Sequence, residues 1–133
     1  MIKILCIEDE PDIRKFIVEE LEDAGFTTLE AANGREGLEM ILHNWPDIVI
    51  CDITMPEMDG HQLLAEIQMN HIELSNIPFI FLTALTDKDN VIMSLRAGAA
   101  DYLTKPIDLD LLLAKIEGSI LHIENDRRTG RAF

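Results

Sequence analysis

Five short apolar runs alternate along the chain with five amphipathic stretches. Two of the runs, residues 48–51 and 79–82, are continuously apolar. Runs of that kind are typical of parallel strands covered on both faces, because every side chain is then buried. The sequence predicts strands at residues 3–7, 27–31, 47–51, 78–82 and 101–104.

The stretches between the strands repeat apolar residues at helical spacing. Pro11 is favoured in a first turn, and Asn33 followed by Glu36 resembles a capping box. Asp87 and Asp108 can cap the fourth and fifth helices. The side chains expected to face the core are Ile13, Phe16, Ile17 and Leu21; Leu38, Ile41 and Leu42; Leu63, Leu64 and Ile67; Val91, Ile92 and Leu95; and Leu111, Leu112, Ile116, Ile120 and Ile123.

This order of elements predicts the fold class. A (βα)₅ series implies right-handed crossovers and an α/β, doubly wound parallel sheet with helices on both faces. The 133 residues fit one domain with a single core. We expect residues 1–124 to form that domain, and the polar residues 125–133 to be a frayed tail or the start of a linker.

The strongly acidic composition limits the partners. A formal charge of −14 and a pI near 4.4 oppose direct binding of nucleic acid, whose phosphates such a surface repels. No apolar run approaches the roughly 20 residues that span a bilayer, and the N-terminus lacks the layout of a secretion signal. We therefore expect a cytoplasmic protein that does not enter membranes.

The Cys and His residues show no spacing typical of metal ligands. Cys6 and Cys51 lie inside apolar runs and are expected to be free, buried thiols. The four histidines are expected at surface or boundary positions. They are His43, His61, His71 and His122.

Polar side chains gather where the predicted strands end. Glu8 and Asp9 follow the first strand, and Asp52 follows the third. Thr83 and Lys105 stand at the ends of the fourth and fifth. Ligands of open parallel sheets bind at the carboxyl ends of the strands, so we expect these side chains to converge on one site.

The converging carboxylates indicate a cation site. Carboxylates held in a cleft repel one another and are tolerated mainly where a cation neutralises them. An all-oxygen site suits Mg²⁺, which binds oxygen at about 2.1 Å and keeps several waters, and we expect Mn²⁺ to substitute for it. Asp9 and Asp52 are expected to bind directly, and Glu8 directly or through a water. The backbone carbonyl of Thr54 can complete the protein's ligands.

Four motifs occur in order, each at the end of a predicted strand. They are residues 4–10 (ILCIEDE), 47–60 (DIVICDITMPEMDG), 78–84 (PFIFLTA) and 98–106 (GAADYLTKP). Together they resemble the receiver domains of response regulators in two-component signalling, over about residues 2–124. The resemblance implies a flavodoxin-like fold with strand order 2-1-3-4-5, like that of the chemotaxis regulators.

The resemblance also implies roles for individual residues. Asp52 would accept a phosphoryl group from a phospho-histidine of a sensor kinase or a histidine phosphotransfer domain, in a phosphorelay that needs Mg²⁺. Lys105 would pair with the phosphoryl oxygens, and Thr83 would hydrogen-bond the phosphoryl group. The bond between Lys105 and Pro106 is expected to be cis. Such a domain catalyses only its own modification and is not a turnover enzyme.

A switch is implied beyond the site. Tyr102 would turn inward as Thr83 moves, altering the surface of the fourth helix, fifth strand and fifth helix. That surface would control an output domain or a downstream protein, and could form a homodimer. Thr54 and Leu85, two residues after Asp52 and Thr83, would flank the path of the hydrolytic water. Because Leu85 is apolar, we expect slow autodephosphorylation.

Three other functions fit the sequence less well. A haloacid-dehalogenase-type phosphatase needs a second acid two residues after its nucleophile, where this chain has Thr54, and usually a cap domain. A receiver-like docking module that works without phosphate would not need the reactive residues that are all present. A nucleotide-binding module is weaker still, since neither GxGxxG nor GxxxxGK[ST] follows any predicted strand.

Overall fold

The computed structural model describes residues 1–84 and 88–129, the last two as backbone only. Strands and helices alternate through the described chain. The strands are β1 (Lys3–Ile7), β2 (Thr27–Ala31), β3 (Ile48–Asp52), β4 (Phe79–Ala84) and β5 (Asp101–Lys105). The helices are α1 (Pro11–Asp23), α2 (Gly34–Asn44), α3 (Gly60–Asn70), α4 (Lys88–Arg96) and α5 (Leu109–Thr129), with a 3₁₀ turn at Ile72–Leu74.

All five strands pair in parallel in the order β2-β1-β3-β4-β5. Helices α2 and α3 cover one face of the sheet, around Phe79 and Phe81. Helices α1 and α5 cover the other, around Ile50 and Leu82. The central strands are buried on both faces, which explains their continuously apolar sequence. The predicted flavodoxin-like fold class is confirmed.

Three strands extend further than the apolar pattern predicts. The ladder pairs Asp52 with Leu82, and Thr83 with Thr104. Lys105 likewise pairs with Ala84. These polar residues therefore belong to the strands themselves, because backbone hydrogen bonding continues after the apolar side chains end. Their positions are fixed by the sheet and not by flexible loops.

The helix starts are largely as predicted. The Asn33 side chain accepts the Glu36 N–H at 2.9 Å. The Glu36 carboxylate, however, accepts from Ala32 N–H at 3.1 Å and does not complete the box. A full capping box instead joins Asp59 and Gln62 at the start of α3. Asp108 accepts the Leu111 N–H at 3.1 Å, whereas Asp87 lies outside the described residues.

Four side chains predicted to face the core are exposed. Phe16 lies at the edge of the face that α1 buries through Ile17, Val18 and Leu21. The others are Ile92 and Leu95 on α4 and Leu111 on α5. In α4 the fully buried side chain is Ser94, so the helix turns a polar residue inward and apolar residues outward. In α4 the spacing predicted the helix correctly, but two of its three expected core residues, Ile92 and Leu95, are exposed.

The fifth helix is longer than the sequence suggested. It continues through Thr129, so residues 125–129 are helical and not frayed, while the domain boundary at residue 124 stays a prediction. Arg127 Nη2 reaches Asp47 Oδ1 at 3.5 Å and ties this last part to the start of β3. Cys6 and Cys51 are free and buried, as predicted. No helix among residues 1–84 and 88–129 is long and apolar enough to cross a membrane.

Candidate functional site

Three carboxylates meet at the carboxyl end of the sheet. One ligand oxygen each from Glu8, Asp9 and Asp52 lies within 4.8 Å of the others. Glu8 is fully buried and Asp52 nearly so, whereas Asp9 is exposed. The exposed side of Asp9 leaves the cluster open to solvent on one side, as a site for a cation or a transferred group requires.

Lys105 connects two of these carboxylates. Its Nζ donates to Asp52 Oδ2 at 3.1 Å and lies 3.0 Å from Glu8 Oε1. Burial raises the pKa of Glu8 to about 7, against the opposing effect of Lys105. Burial alone would lower the pKa of Lys105, but the contact with Glu8 and the charge of Asp52 raise it. One ammonium thus faces two carboxylates, and the cluster favours additional positive charge.

Two buried polar atoms in the described part of the chain lack hydrogen-bond partners. They are Glu8 Oε1 and Thr83 Oγ1. Glu8 Oε1 contacts Lys105 as an ion pair without hydrogen-bond geometry. Buried polar atoms are normally satisfied, so two exceptions at the carboxyl ends of β1 and β4 need an explanation. An oxygen-binding cation fits Glu8, and an anionic oxygen acceptor fits the Thr83 hydroxyl.

The segment after Asp52 turns tightly against the strand end. Asp52 Oδ1 accepts the Thr54 N–H at 3.3 Å, and Gly60 N–H donates to Ile53 O at 2.9 Å. A Cβ on Gly60 would lie 2.8 Å from both Asp52 O and Cε1 of Phe81. Position 60 therefore needs a glycine for this close approach.

The predicted switch residues occupy neighbouring strands. Thr83 is buried on β4. Tyr102, on β5, is half-buried, and its ring already packs against the core on the α2–α3 face. Lys115 Nζ from α5 lies 5.7 Å from the Tyr102 ring centroid and donates to Asp101 Oδ1 at 2.8 Å. The ring is thus contacted from the core and from α5.

The remaining predicted residues are less constrained. Thr54 is exposed, and the metal-binding role of its carbonyl stays a prediction. The Lys105–Pro106 peptide bond is cis. Leu85 lies outside the described residues, so its role in phosphoryl lifetime also stays a prediction.

Sequence reasoning missed two side chains that brace the site. Arg14 Nη1 on α1 donates to Glu8 O, in the turn after β1, at 2.6 Å. His61 Nε2 lies 2.8 Å from Ser94 Oγ, and the His61 ring packs edge-on against Phe81 with centroids 5.3 Å apart. Both contacts cross between elements, and no local sequence pattern signals them.

Comparison with known proteins gives the family. Residues 4–117 match the model of the response regulator receiver domain. The chain is 37% identical over 125 residues to the DNA-binding transcriptional regulator NtrC of Escherichia coli (strain K12), covering 94% of this chain and 26% of that protein. It is 37% identical over 130 residues to the probable transcriptional regulator ycf27 of Guillardia theta, covering 98% of this chain and 47% of that protein. The chain thus spans a quarter to a half of these relatives.

Solved structures agree with the sequence comparison. A response regulator receiver domain from Clostridium thermocellum superposes with a TM-score of 0.86 at 34% identity, covering 93% of this chain and 98% of that one. The chemotaxis protein CheY4 of Vibrio cholerae superposes with a TM-score of 0.82 at 29% identity, covering 90% of this chain and 98% of that one. The fold, the acidic cluster and these matches agree: the chain belongs to the response regulator receiver domain family of two-component signalling.

Proposed function

We propose that this receiver domain is switched by magnesium-dependent transfer of a phosphoryl group from a phospho-histidine to Asp52. The observation that carries the proposal is the position of Asp52. Its buried carboxylate lies beside Glu8 and Asp9 and accepts a hydrogen bond from Lys105. The donor would be a histidine kinase or a histidine phosphotransfer domain.

The chemistry follows from the charges at the site. A carboxylate oxygen of Asp52 attacks phosphorus in line, and the bond between phosphorus and the donor nitrogen breaks, giving an acyl phosphate. The transferring group is strongly anionic, so positioning and charge neutralisation dominate catalysis. Glu8, Asp9, Asp52 and the Thr54 carbonyl would hold Mg²⁺, which supplies positive charge beside the phosphoryl oxygens; Mn²⁺ would serve as well. Lys105 would release its bond to Asp52 and pair with those oxygens.

The Thr83 hydroxyl connects the site to the surface. Its oxygen has no hydrogen-bond partner in the described structure, so a phosphoryl oxygen would provide one. Movement of Thr83 would leave space that the Tyr102 ring can occupy more deeply, and α4 would repack beside β5. The α4-β5-α5 surface would then control an output domain or a downstream protein, directly or by forming a homodimer.

The proposal makes the domain a cytoplasmic signalling module that modifies itself and is not a turnover enzyme. The curated relatives extend well beyond the matched region, so the response itself would belong to a further domain or a separate protein. With a charge of −14, this chain is not expected to contact nucleic acid.

The test is phosphorylation by a small donor such as acetyl phosphate, followed by intact-protein mass spectrometry. We expect one acid-stable, base-labile phosphoryl group with Mg²⁺ and none with excess EDTA. Asp52→Asn should abolish incorporation, while Asp12→Asn, the same change at an exposed α1 position, should not. Equal incorporation in Asp52→Asn would refute the proposed acceptor, and incorporation unaffected by EDTA would refute the metal dependence.

The same protein tests the docking alternative. Beryllium fluoride with Mg²⁺ imitates an acyl phosphate on an aspartate. We expect it to change the amide spectra of β4, α4 and β5 in the wild type and leave Asp52→Asn unchanged. A wild-type protein that shows no spectral change and no phosphorylation would instead be a docking module.

A further inference from the structure

The acidic turn at residues 8–10 is held from α1 by the side chain and the backbone of Arg14. Arg14 Nη1 donates to the Glu8 carbonyl at 2.6 Å, and Arg14 N–H donates to the Glu10 carbonyl at 3.0 Å. The first bond belongs to the Arg14 side chain and the second to the α1 backbone, and only the first depends on the residue type at position 14. The Arg14 side chain is 19% exposed, and its Nε contacts Glu30 Oε1 on β2 at 3.3 Å.

Asp9 itself is the least constrained member of the carboxylate cluster. Glu8 is fixed by burial, by Lys105 and by the Glu10 N–H, which donates to Glu8 Oε2 at 3.2 Å. Asp52 is fixed by Lys105 and Thr54. Within the described structure no hydrogen bond or ion pair holds the exposed Asp9 carboxylate. Its place in the cluster therefore depends on the backbone of the turn.

We propose that Arg14 is a positioning residue for the metal site, holding the 8–10 turn in the shape that keeps the Asp9 carboxylate beside Glu8 and Asp52. The proposal rests on the proposed function in that the site binds Mg²⁺. Arg14 is not itself a ligand. It lowers the cost of binding because the turn is already ordered before the ion arrives.

The charge of Arg14 and its positioning role predict opposite changes in Mg²⁺ affinity when the residue is replaced. Arg14 is a cation close to an acidic site, so removing it should strengthen Mg²⁺ binding if only its field mattered. Loss of the side-chain bond to Glu8 O should instead weaken binding, because Asp9 must then be ordered when the ion binds. Lys105 provides the comparison, since its ammonium directly faces Glu8 and Asp52. Removing that cation should strengthen Mg²⁺ binding.

The experiment measures Mg²⁺ affinity by isothermal titration calorimetry at low and high salt. We expect Arg14→Met to bind Mg²⁺ about three- to tenfold more weakly, equivalent to about 1 kcal/mol for the lost hydrogen bond. The loss should persist in high salt, because it does not depend on a screened charge. Arg14→Lys should recover only part of the affinity, because an ammonium lacks the fork that spans Glu8 O and Glu30.

Controls separate this proposal from the proposed function. Lys15→Met removes a neighbouring, exposed α1 cation that pairs with Glu19, and it should not weaken binding. Amide NMR spectra of metal-free Arg14→Met should show shifts centred on residues 8–10 in a folded protein. If the wild type binds no Mg²⁺, the proposed function fails. If the wild type binds it and Arg14→Met binds equally or more tightly, the positioning role alone is refuted.

Discussion

The free energy of unfolding of the metal-free domain should fall as the pH rises, because of Glu8. Its pKa is raised from 4.5 to about 7, first by burial. Between pH 4.5 and 7, Glu8 therefore keeps its proton in the folded protein and loses it in the unfolded chain. The stabilising contribution is complete below pH 4.5 and is lost as the pH rises through 7. A shift of this size corresponds to about 3 kcal/mol at most.

The change Glu8→Gln isolates this contribution, since an amide does not titrate. We expect the free energy of unfolding of the variant, minus that of the wild type, to increase by about 1–3 kcal/mol between pH 5 and 8. Lys105 does not interfere, because its raised pKa lies above this window. Urea unfolding of chelated, dialysed protein at pH 5, 6, 7 and 8 measures the difference.

The matched control is Glu10→Gln, the same change at an exposed position two residues further on. Its difference from the wild type should stay flat over this range. Saturating Mg²⁺ should shrink the Glu8→Gln gap at pH 8, because a nearby cation favours the ionised carboxylate. A flat Glu8→Gln difference in the metal-free protein would show that burial does not raise the pKa of Glu8 in the folded state.

Four other outcomes test the site and its surroundings. Lys105→Met should slow phosphorylation by acetyl phosphate at least about tenfold, because a direct charge on the transferring group is lost; an unchanged rate would contradict its role. Gly60→Ala should destabilise by about 1–3 kcal/mol in urea unfolding through overpacking, whereas Gly118→Ala, with open space around it on α5, should stabilise by about 0.5–1 kcal/mol. Phosphorylated Asp52 should persist for minutes or longer in a phosphate-release assay, and a half-life of seconds would exclude slow autodephosphorylation. His61→Phe should speed amide hydrogen exchange in α4 about fivefold, the equivalent of about 1 kcal/mol; unchanged exchange would mean that this bond does not hold the helix.

The sheet and the site could be predicted from the sequence because strand ends are strongly constrained. A parallel strand buried on both faces is apolar throughout, so the first acidic residue after it lies at the carboxyl edge. This rule predicts that Glu8, Asp9 and Asp52 lie together. The exact end of β3 was missed by one residue, because Asp52 continues the ladder with a charged side chain.

The hydrogen bonds that Arg14 and His61 make around the site could not be predicted in the same way. The bond from Arg14 to Glu8 depends on how α1 packs beside the end of β1, which a spacing pattern does not contain. Apolar spacing was also misleading in α4, where Ile92 and Leu95 are exposed. A helix can pack against the rest of the domain through one buried hydroxyl. A pattern of apolar residues does not reveal such a position, because serine is polar. Ser94 is that residue here.

The polar attachment of α4 fits the proposed switch, in which this helix repacks. His61 Nε2 on α3 lies 2.8 Å from Ser94 Oγ, and the Gln68 side-chain amide donates to the carbonyl of Ala97, directly after α4, at 2.8 Å. The bond from Ser94 Oγ to Asn90 O stays within α4. Hydrogen bonds of this kind contribute about 1 kcal/mol each, whereas fully burying one large apolar side chain contributes about 1.5–3 kcal/mol. A charge-assisted bond from the Thr83 hydroxyl to a phosphoryl oxygen is also worth about 1.5–3 kcal/mol. The bond proposed for Thr83 would thus be of the same order as the two hydrogen bonds that join α4 to α3, whereas burial of Ile92 and Leu95 would add about 3–6 kcal/mol to the attachment of the helix.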